Sequence, residues 1–190
     1  MLLKDKQIIL ASGSPRRINM LKEDGIDFTV VKPGCEENIN TELTPAQTVM
    51  SLALRKALAI GPQDGMILAC DTVVVHNGKV IGKPEDEDDA FAILSELNGD
   101  VHEVISGVCI IDSETNLKLV FNSVTKVFFK KYSDEYIREY IRSGEPMDKA
   151  GAYAIQGLFG ENIDHIEGAY DNVVGFPYTE IKERLKLIKK

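Results

Sequence analysis

The stretch Ile8–Arg17 places the tightest constraint on the fold of this chain, because it predicts a strand, a tight turn and a helix in direct succession. Its first four residues are apolar and typical of a buried strand, and Ser-Gly-Ser follows them. In that turn Gly13 allows a positive φ, Ser14 suits the N-cap and Pro15 suits the first helical position. We therefore expect the backbone to pass from a sheet into a helix here.

The same helix start predicts a site for an anion. The first backbone N–H groups of a helix have no partner within the helix and lie at the positive end of its dipole. Arg16 and Arg17 stand beside them, and guanidinium groups bind phosphate through paired hydrogen bonds. The alternative is an ordinary capped helix with two surface arginines.

The overall charge of the chain bears on its partners. The 190 residues carry a net charge of −8, whereas duplex-binding proteins normally have a basic face, so we expect no nucleic acid polymer as a partner. A small polyphosphate is compatible, because a few convergent cations make a locally positive site on an acidic protein. The sequence has no apolar run of membrane-spanning length and no signal-peptide pattern, so we expect a cytoplasmic protein with no membrane partner.

The order of apolar patterns predicts an α/β fold with a mixed, twisted sheet and flanking helices. Asn77-Gly78 predicts a hairpin turn, at which His76 is expected to be solvated. Residues 145–177 have little periodicity, and a segment of this length is usually functional. We expect strands near residues 8–11, 28–31, 66–75, 101–112 and 117–129, and helices near 15–24, 45–60, 86–97, 134–143 and 177–190.

Asp71 is the unexpected residue of the chain, since it lies in the segment Met66–Val75, which is apolar apart from Asp71 and Thr72. Burying a carboxylate is costly unless it is paired or bound to a metal. The functional interpretation makes Asp71 a metal ligand or a base, and the structural one makes it an acceptor of backbone hydrogen bonds. The Walker A, dinucleotide-binding and Gly-x-Ser-x-Gly motifs are absent from the sequence, so the chemistry has to come from a less common arrangement.

Three further charged residues lie near element ends: Glu37 in a polar loop, Lys56 on the second helix, and Lys83 between Gly82 and Pro84. Each alone has a simple explanation as a surface residue. Together with the arginines and Asp71 they form a set suited to a metal-bound triphosphate. Cations offset charge on the phosphates, and carboxylates hold the metal or activate water.

The chain resembles the Maf family of nucleoside triphosphate pyrophosphatases, also described as septum formation inhibitors. The resemblance covers nearly the whole sequence and lies in seven motifs that occur in order. They are Ala11–Arg17, Glu36–Glu37, Leu52–Ala57, Asp71–Val74, Gly82–Pro84, Ser143–Gly157 and Tyr170–Pro177. Ala69, Cys70 and Ala154 depart from the family pattern.

The resemblance implies a single domain over residues 1–190, with the elongated two-lobed fold of Maf proteins and inosine triphosphatases around a central cleft. It implies hydrolysis of a nucleotide to the monophosphate and pyrophosphate with a divalent metal cation, Mg or Mn, and a homodimer. Asp71 matches the general base, and Glu37 with Asp71 lies near the metal. The phosphate-binding residues that it implies are Ser12, Ser14, Arg17, Lys56 and Lys83.

Within the family, the branch that cleaves dTTP and UTP is identified by three positions, here Arg16, Thr72 and Gln156. A glutamine amide suits the imide edge of uracil or thymine, because it can accept from N3–H and donate to a carbonyl. The resemblance therefore implies dTTP and UTP as substrates. A nucleotide-binding regulator of septum formation and a purine triphosphatase are the alternatives.

Overall fold

The computed structural model describes residues 3–35 and 42–188, so Glu37 lies outside the described residues. Strands β1 to β7 are Ile8–Ala11, Phe28–Val30, Met66–His76, Lys79–Ile81, Val101–Asp112, Leu117–Phe129 and Ile163–Glu167. Helices α1 to α6 are Pro15–Glu23, Pro45–Ala59, Glu87–Leu97, Asp134–Arg142, Tyr170–Val174 and Tyr178–Ile188. Short 3-10 helices span Glu145–Asp148, Ala150–Ala152 and Leu158–Asn162.

The strands of the described residues form one seven-stranded sheet in the order β2-β1-β3-β5-β6-β7, with β4 paired to β3. Strand β1 is parallel to β2 and to β3, whereas the β3–β4 and β6–β7 pairs are antiparallel. The predicted α/β class, with a mixed sheet and flanking helices, is confirmed. None of the helices in residues 3–35 and 42–188 combines the length and the apolar character that crossing a membrane requires.

The chain divides into two compact units. The first consists of residues 1–71, 106–123 and 175–190, and the second of residues 72–105 and 124–174. The boundary between residues 71 and 72 falls inside β3. Each unit has an apolar core of its own.

The first unit is layered by the alternation of side chains along its strands. Ile8 and Leu10 face a core that α1 and α6 complete, whereas Ile9 and Ala11 face the opposite side, toward α2. Helix α2 lies very close to the sheet at Gly107. A Cβ atom on that residue would come within 2.2 Å of the Val49 backbone. The absence of a side chain at Gly107 therefore sets how near α2 can approach β5.

The core of the second unit is rich in aromatic rings. Phe159 is fully buried, and its ring centroid lies 4.9 Å from that of Phe129 and 5.1 Å from that of Tyr140. Tyr153 belongs to the same cluster. The segment after α4 is therefore anchored by rings, although it lacks the regular spacing from which an element could be predicted.

Two local predictions are wrong. Gly13 does not adopt a positive φ, and a Cβ atom there would meet only the movable end of the exposed Lys32 side chain, at 2.9 Å. His76 is not solvated but only 3% exposed, because it is the last residue of β3 rather than part of the turn. Its ring nitrogens bind the carboxylates of Glu96 and Asp100 at 2.8 and 3.0 Å.

Candidate active site

The turn between β1 and α1 is built around the hydroxyl of Ser12. Its Oγ atom accepts hydrogen bonds from the backbone N–H of Ser14 at 3.2 Å and from Arg17 Nη1 at 3.1 Å. Ser12 is only 7% exposed, so these bonds form in a largely dry environment. Ser14 occupies the N-cap position as predicted, but its side chain makes no capping hydrogen bond. The hydroxyl that shapes this turn is that of Ser12.

Arg17 ties this turn to two other segments of the first unit. Its Nε donates to the carbonyl oxygen of Gly175 at 2.9 Å, and its Nη1 donates to the carbonyl oxygen of Cys70 at 2.6 Å. Cys70 immediately precedes Asp71 in β3. The guanidinium group therefore fixes the β1–α1 turn against the part of β3 that carries the acid.

The carboxylate of Asp71 is paired with Lys56, with 2.6 Å between Lys56 Nζ and Asp71 Oδ1. The pairing follows from the periodicity of each element. Ile67, Ala69 and Asp71 alternate along β3 on the sheet face toward α2, and Lys56 lies between the buried Ala53 and Ala57 on that helix.

Both members of this pair are buried, each with 9% of its surface exposed. The interpretation of Lys56 as a surface lysine is therefore wrong. The side chain of Cys70, one residue before the acid, faces the opposite core. The first unit thus holds a buried carboxylate and an ammonium group together, and an arginine fixes the backbone beside them.

Arg16 lies in the first turn of α1 and is half-buried. Of the predicted site residues, the structure links Ser12, Ser14 and Arg17 through hydrogen bonds and Lys56 through its pair with Asp71. Backbone carbonyl oxygens at residues 70 and 175 complete the arrangement. These carbonyl groups could not be predicted from the sequence, because a carbonyl group is present at every residue and carries no side-chain signal.

The remaining predicted residues that the structure describes belong to the second unit. Thr72 is half-buried in β3, and Lys83 is exposed in the loop after β4. That loop is fixed by the N–H of Gly151, which donates to the carbonyl oxygen of Gly82 at 3.0 Å. Lys83 is therefore an exposed cation on a loop that is held in place.

Gln156 lies exposed on a tight turn of the second unit. The turn is closed by the N–H of Gly157, which donates to the carbonyl oxygen of Ala154 at 3.2 Å. The buried rings of Tyr153 and Phe159 flank it on either side. The amide of Gln156 is thus presented to solvent from a backbone that is anchored at both ends.

The described residues contain no group of three or more histidine, cysteine, aspartate or glutamate side chains arranged to hold a metal ion. Mg²⁺ usually binds through one or two carboxylates together with substrate phosphates and water. Asp71 supplies one carboxylate beside the turn that begins α1. This donor set fits a metal ion that arrives with a triphosphate.

Comparison with known sequences gives a consistent result. The family model described as Maf-like protein matches residues 7–188. The dTTP/UTP pyrophosphatase of Pelotomaculum thermopropionicum is 44% identical over 183 residues, which cover 95% of this chain and 96% of the relative. The dTTP/UTP pyrophosphatase of Thermosipho melanesiensis is 49% identical over 174 residues, with 92% and 93% covered.

Among solved structures, the Ham1 protein of Staphylococcus aureus aligns with a TM-score of 0.45 and 15% identity. The alignment covers 65% of this chain and 72% of that protein.

Proposed function

The chain belongs to the Maf family, and we propose that it is a nucleoside triphosphate pyrophosphatase that hydrolyses dTTP and UTP to the monophosphate and pyrophosphate. The two substrates are taken from the relatives, which are named dTTP/UTP pyrophosphatases. The observation that carries the proposal is the buried pair of Asp71 with Lys56, next to the turn that Arg17 fixes.

In the proposed reaction, Asp71 acts as the general base. Its carboxylate takes a proton from a water molecule, and the water oxygen forms a bond to the α-phosphorus. The bond from that phosphorus to the bridging oxygen breaks, and pyrophosphate leaves with the electron pair. A base placed in this way contributes about 10²–10⁴-fold to the rate.

The cations offset the negative charge that develops on the phosphates. Lys56 lies at Asp71, and Arg17 stands at the start of α1, where the helix dipole also favours an anion. We assign Ser12 and Ser14 to phosphate binding as well, and we give the same role to Lys83 of the second unit. Arg17 also has a structural role, because its Nε and Nη1 atoms donate to the Gly175 carbonyl oxygen and to Ser12 Oγ.

Asp71 would hold the divalent metal cation, Mg or Mn, together with Glu37, which lies outside the described residues. When bound, such an ion neutralises phosphate charge and acts as a Lewis acid on the phosphoryl oxygens.

Base selection is assigned to Arg16, Thr72 and Gln156. The exposed amide of Gln156 matches the acceptor and donor pattern of the uracil or thymine edge. We further assign the enzyme to the cytoplasm, as a homodimer, with residues 1–190 acting as a single domain. The nucleotide is the partner in this assignment, rather than a nucleic acid polymer or a membrane.

The test is pyrophosphate release from dTTP, UTP, CTP, ATP, GTP and ITP, with Mg²⁺ or Mn²⁺, by the wild type and the Asp71→Asn variant. We expect dTTP and UTP to be cleaved best, and the variant to lose about 10²–10⁴-fold in kcat while it still binds nucleotide. Asp112→Asn is the matched control, because Asp112 is also buried and paired with a lysine, Lys6.

Near-normal turnover by Asp71→Asn would remove Asp71 from the role of base. Tight binding of nucleotide by the wild type without release of pyrophosphate would favour a nucleotide-binding regulator of septum formation. Preferred cleavage of ITP would favour a purine triphosphatase.

A further inference from the structure

We propose that Glu145 is a positioning residue for nucleotide selection, because its carboxylate fixes the turn that carries Gln156. The inference rests on the proposed function, in which Gln156 contacts the base. Glu145 begins the 3-10 helix after α4, eleven residues before Gln156 along the chain.

The carboxylate of Glu145 joins helix α4 to the far side of the turn. Oε1 accepts a hydrogen bond from the hydroxyl of Tyr140 at 2.9 Å, and Oε2 accepts one from the backbone N–H of Leu158 at 3.1 Å. The Leu158 side chain is 62% exposed, so its packing contributes little to holding this part of the chain. The carboxylate therefore restrains the backbone two residues after Gln156.

Gly157 lies directly against the same carboxylate. A Cβ atom on Gly157 would come within 2.0 Å of Glu145 Oε1 and 2.4 Å of Glu145 Cδ. The backbone angles of Gly157, φ −103° and ψ −161°, are extended and open to any residue. A side chain at this position would therefore displace the Glu145 carboxylate, which fills the space that the glycine leaves.

Tyrosines of α4 support the arrangement. The hydroxyl of Tyr136 donates to the carbonyl oxygen of Leu158 at 3.3 Å. Burial raises the pKa of Tyr140, the hydrogen bond to Glu145 raises it further, and a hydrogen bond with the Ala154 backbone acts in the opposite direction. Tyr140 is therefore protonated and donates to Glu145. Its hydroxyl also forms a hydrogen bond with the backbone of Ala154, two residues before Gln156.

Glu145 itself is well held. Its backbone N–H donates to Ser143 Oγ at 3.2 Å, and its carbonyl oxygen accepts from Lys149 Nζ at 2.8 Å. The preceding Gly144 has a φ of +74°, which turns the chain sharply at the end of α4. The backbone of Glu145 is thus held in place, which a residue needs if its side chain is to orient another one.

The consequence concerns selectivity rather than hydrolysis. A glutamine amide discriminates between base edges only when its own orientation is fixed, because a mobile amide can offer donor or acceptor to either partner. Loss of the Glu145 hydrogen bonds should therefore weaken recognition of uracil and thymine. It should leave the chemical step at Asp71 in place.

The experiment measures kcat and KM for UTP and CTP in the full-length enzyme, for the wild type, Glu145→Ala and Gly157→Ala. We expect each variant to lower the UTP to CTP ratio of kcat/KM by about fivefold, mainly through KM for UTP, since one backbone hydrogen bond is worth about 1 kcal/mol. Glu139→Ala, an exposed glutamate on α4, is the control and should leave the ratio unchanged.

A double variant tests whether the two residues act as one unit. If they do, Glu145→Ala combined with Gly157→Ala should lose little more than either change alone, because truncation of Glu145 removes the atoms that the new Cβ would meet. Fully additive losses would contradict the proposal. If Glu145→Ala does not fold, Tyr140→Phe removes the hydroxyl donor while keeping the ring, and the same fall in selectivity is expected.

Binding affinities of UTP and CTP, measured in the Asp71→Asn background, separate the two proposals. A fall in binding selectivity with Glu145→Ala supports the inference even if no nucleotide is hydrolysed, an outcome that would contradict the proposed function alone. An unchanged selectivity of both turnover and binding would overturn the role of Glu145 while the proposed function stands. A wild type that binds neither nucleotide would overturn both.

Discussion

The ammonium group of Lys56 lies 2.6 Å from Oδ1 of Asp71, and both residues are buried. This contact joins α2 to β3 through opposite charges within the first unit. It explains how a carboxylate can lie in a largely apolar strand, because a buried carboxylate needs a partner of opposite charge.

Replacement of Lys56 should destabilise the fold as well as reduce activity. Lys56→Gln leaves the Asp71 carboxylate without its cation, and we expect a loss of about 3 kcal/mol in the free energy of unfolding. Asp71→Asn added to Lys56→Gln should recover part of that loss, since no buried charge is then left alone. Urea unfolding measures both, with the exposed Lys118→Gln as control. Equal stability of Lys56→Gln and the wild type would contradict a buried pair.

Arg17→Lys tests the three-way contact of the guanidinium group. A lysine cannot donate in the planar geometry that reaches Gly175, Cys70 and Ser12 together, so we expect a loss of about 1–3 kcal/mol in the free energy of unfolding. Pyrophosphate release should fall with it, because the turn is no longer fixed against β3. The same substitution at the exposed Arg142 should change neither quantity, and an unaffected Arg17→Lys enzyme would show that the contacts are dispensable.

His102 should make the fold sensitive to acid. Burial, followed by the charge of His76, lowers the pKa of His102 to about 3. Below pH ~6.5 the His102 imidazole binds a proton in the unfolded chain but stays neutral in the folded one. The free energy of unfolding therefore decreases as the pH falls from ~6.5 toward 3. His102→Gln should remove up to about 1.4 kcal/mol per pH unit of that slope. Urea unfolding at pH 7, 5 and 4 measures the slope, and equal slopes for the two proteins would contradict this prediction.

His76 should act in the opposite direction. Burial alone lowers the pKa of His76, but the hydrogen bonds to Glu96 and Asp100 outweigh it and raise the pKa above its ordinary value. Protonated His76 therefore stabilises the folded state below the unfolded pKa of ~6.5, and this contribution is lost as the pH rises through the higher folded pKa. His76→Asn should destabilise the protein at pH 6 more than at pH 9. The exposed His165→Asn is the control, and a loss that does not vary with pH would disprove the assignment.

The sequence predicted most elements of the fold because their signals are local. Asn77 and Gly78 have the positive φ angles of the predicted hairpin turn, and Ser133 caps α4 by accepting a hydrogen bond from the N–H of Tyr136. Strand β7 and helix α5 were not predicted. They have only five residues each, which is too short for a period to be recognised.

The candidate site was predicted less completely, because its contacts are made between distant segments. Asp71 could be recognised as costly to bury, but nothing in the helical pattern around Lys56 indicates which residue it meets. Arg17 was predicted as a phosphate ligand, whereas three protein oxygens also bind it. Glu145 carries no signal of its own, since its role depends on the empty space at Gly157.

The absence of a side chain at Gly107 also determines how close Lys56 lies to the sheet. Helix α2 can reach the sheet only because a hydrogen atom occupies the place of a methyl group there, so even alanine would lift the helix and draw the lysine away from its acid. The position of the Lys56 ammonium group thus depends on a contact seven residues earlier on the helix, where the Val49 backbone packs against the hydrogen atom of Gly107.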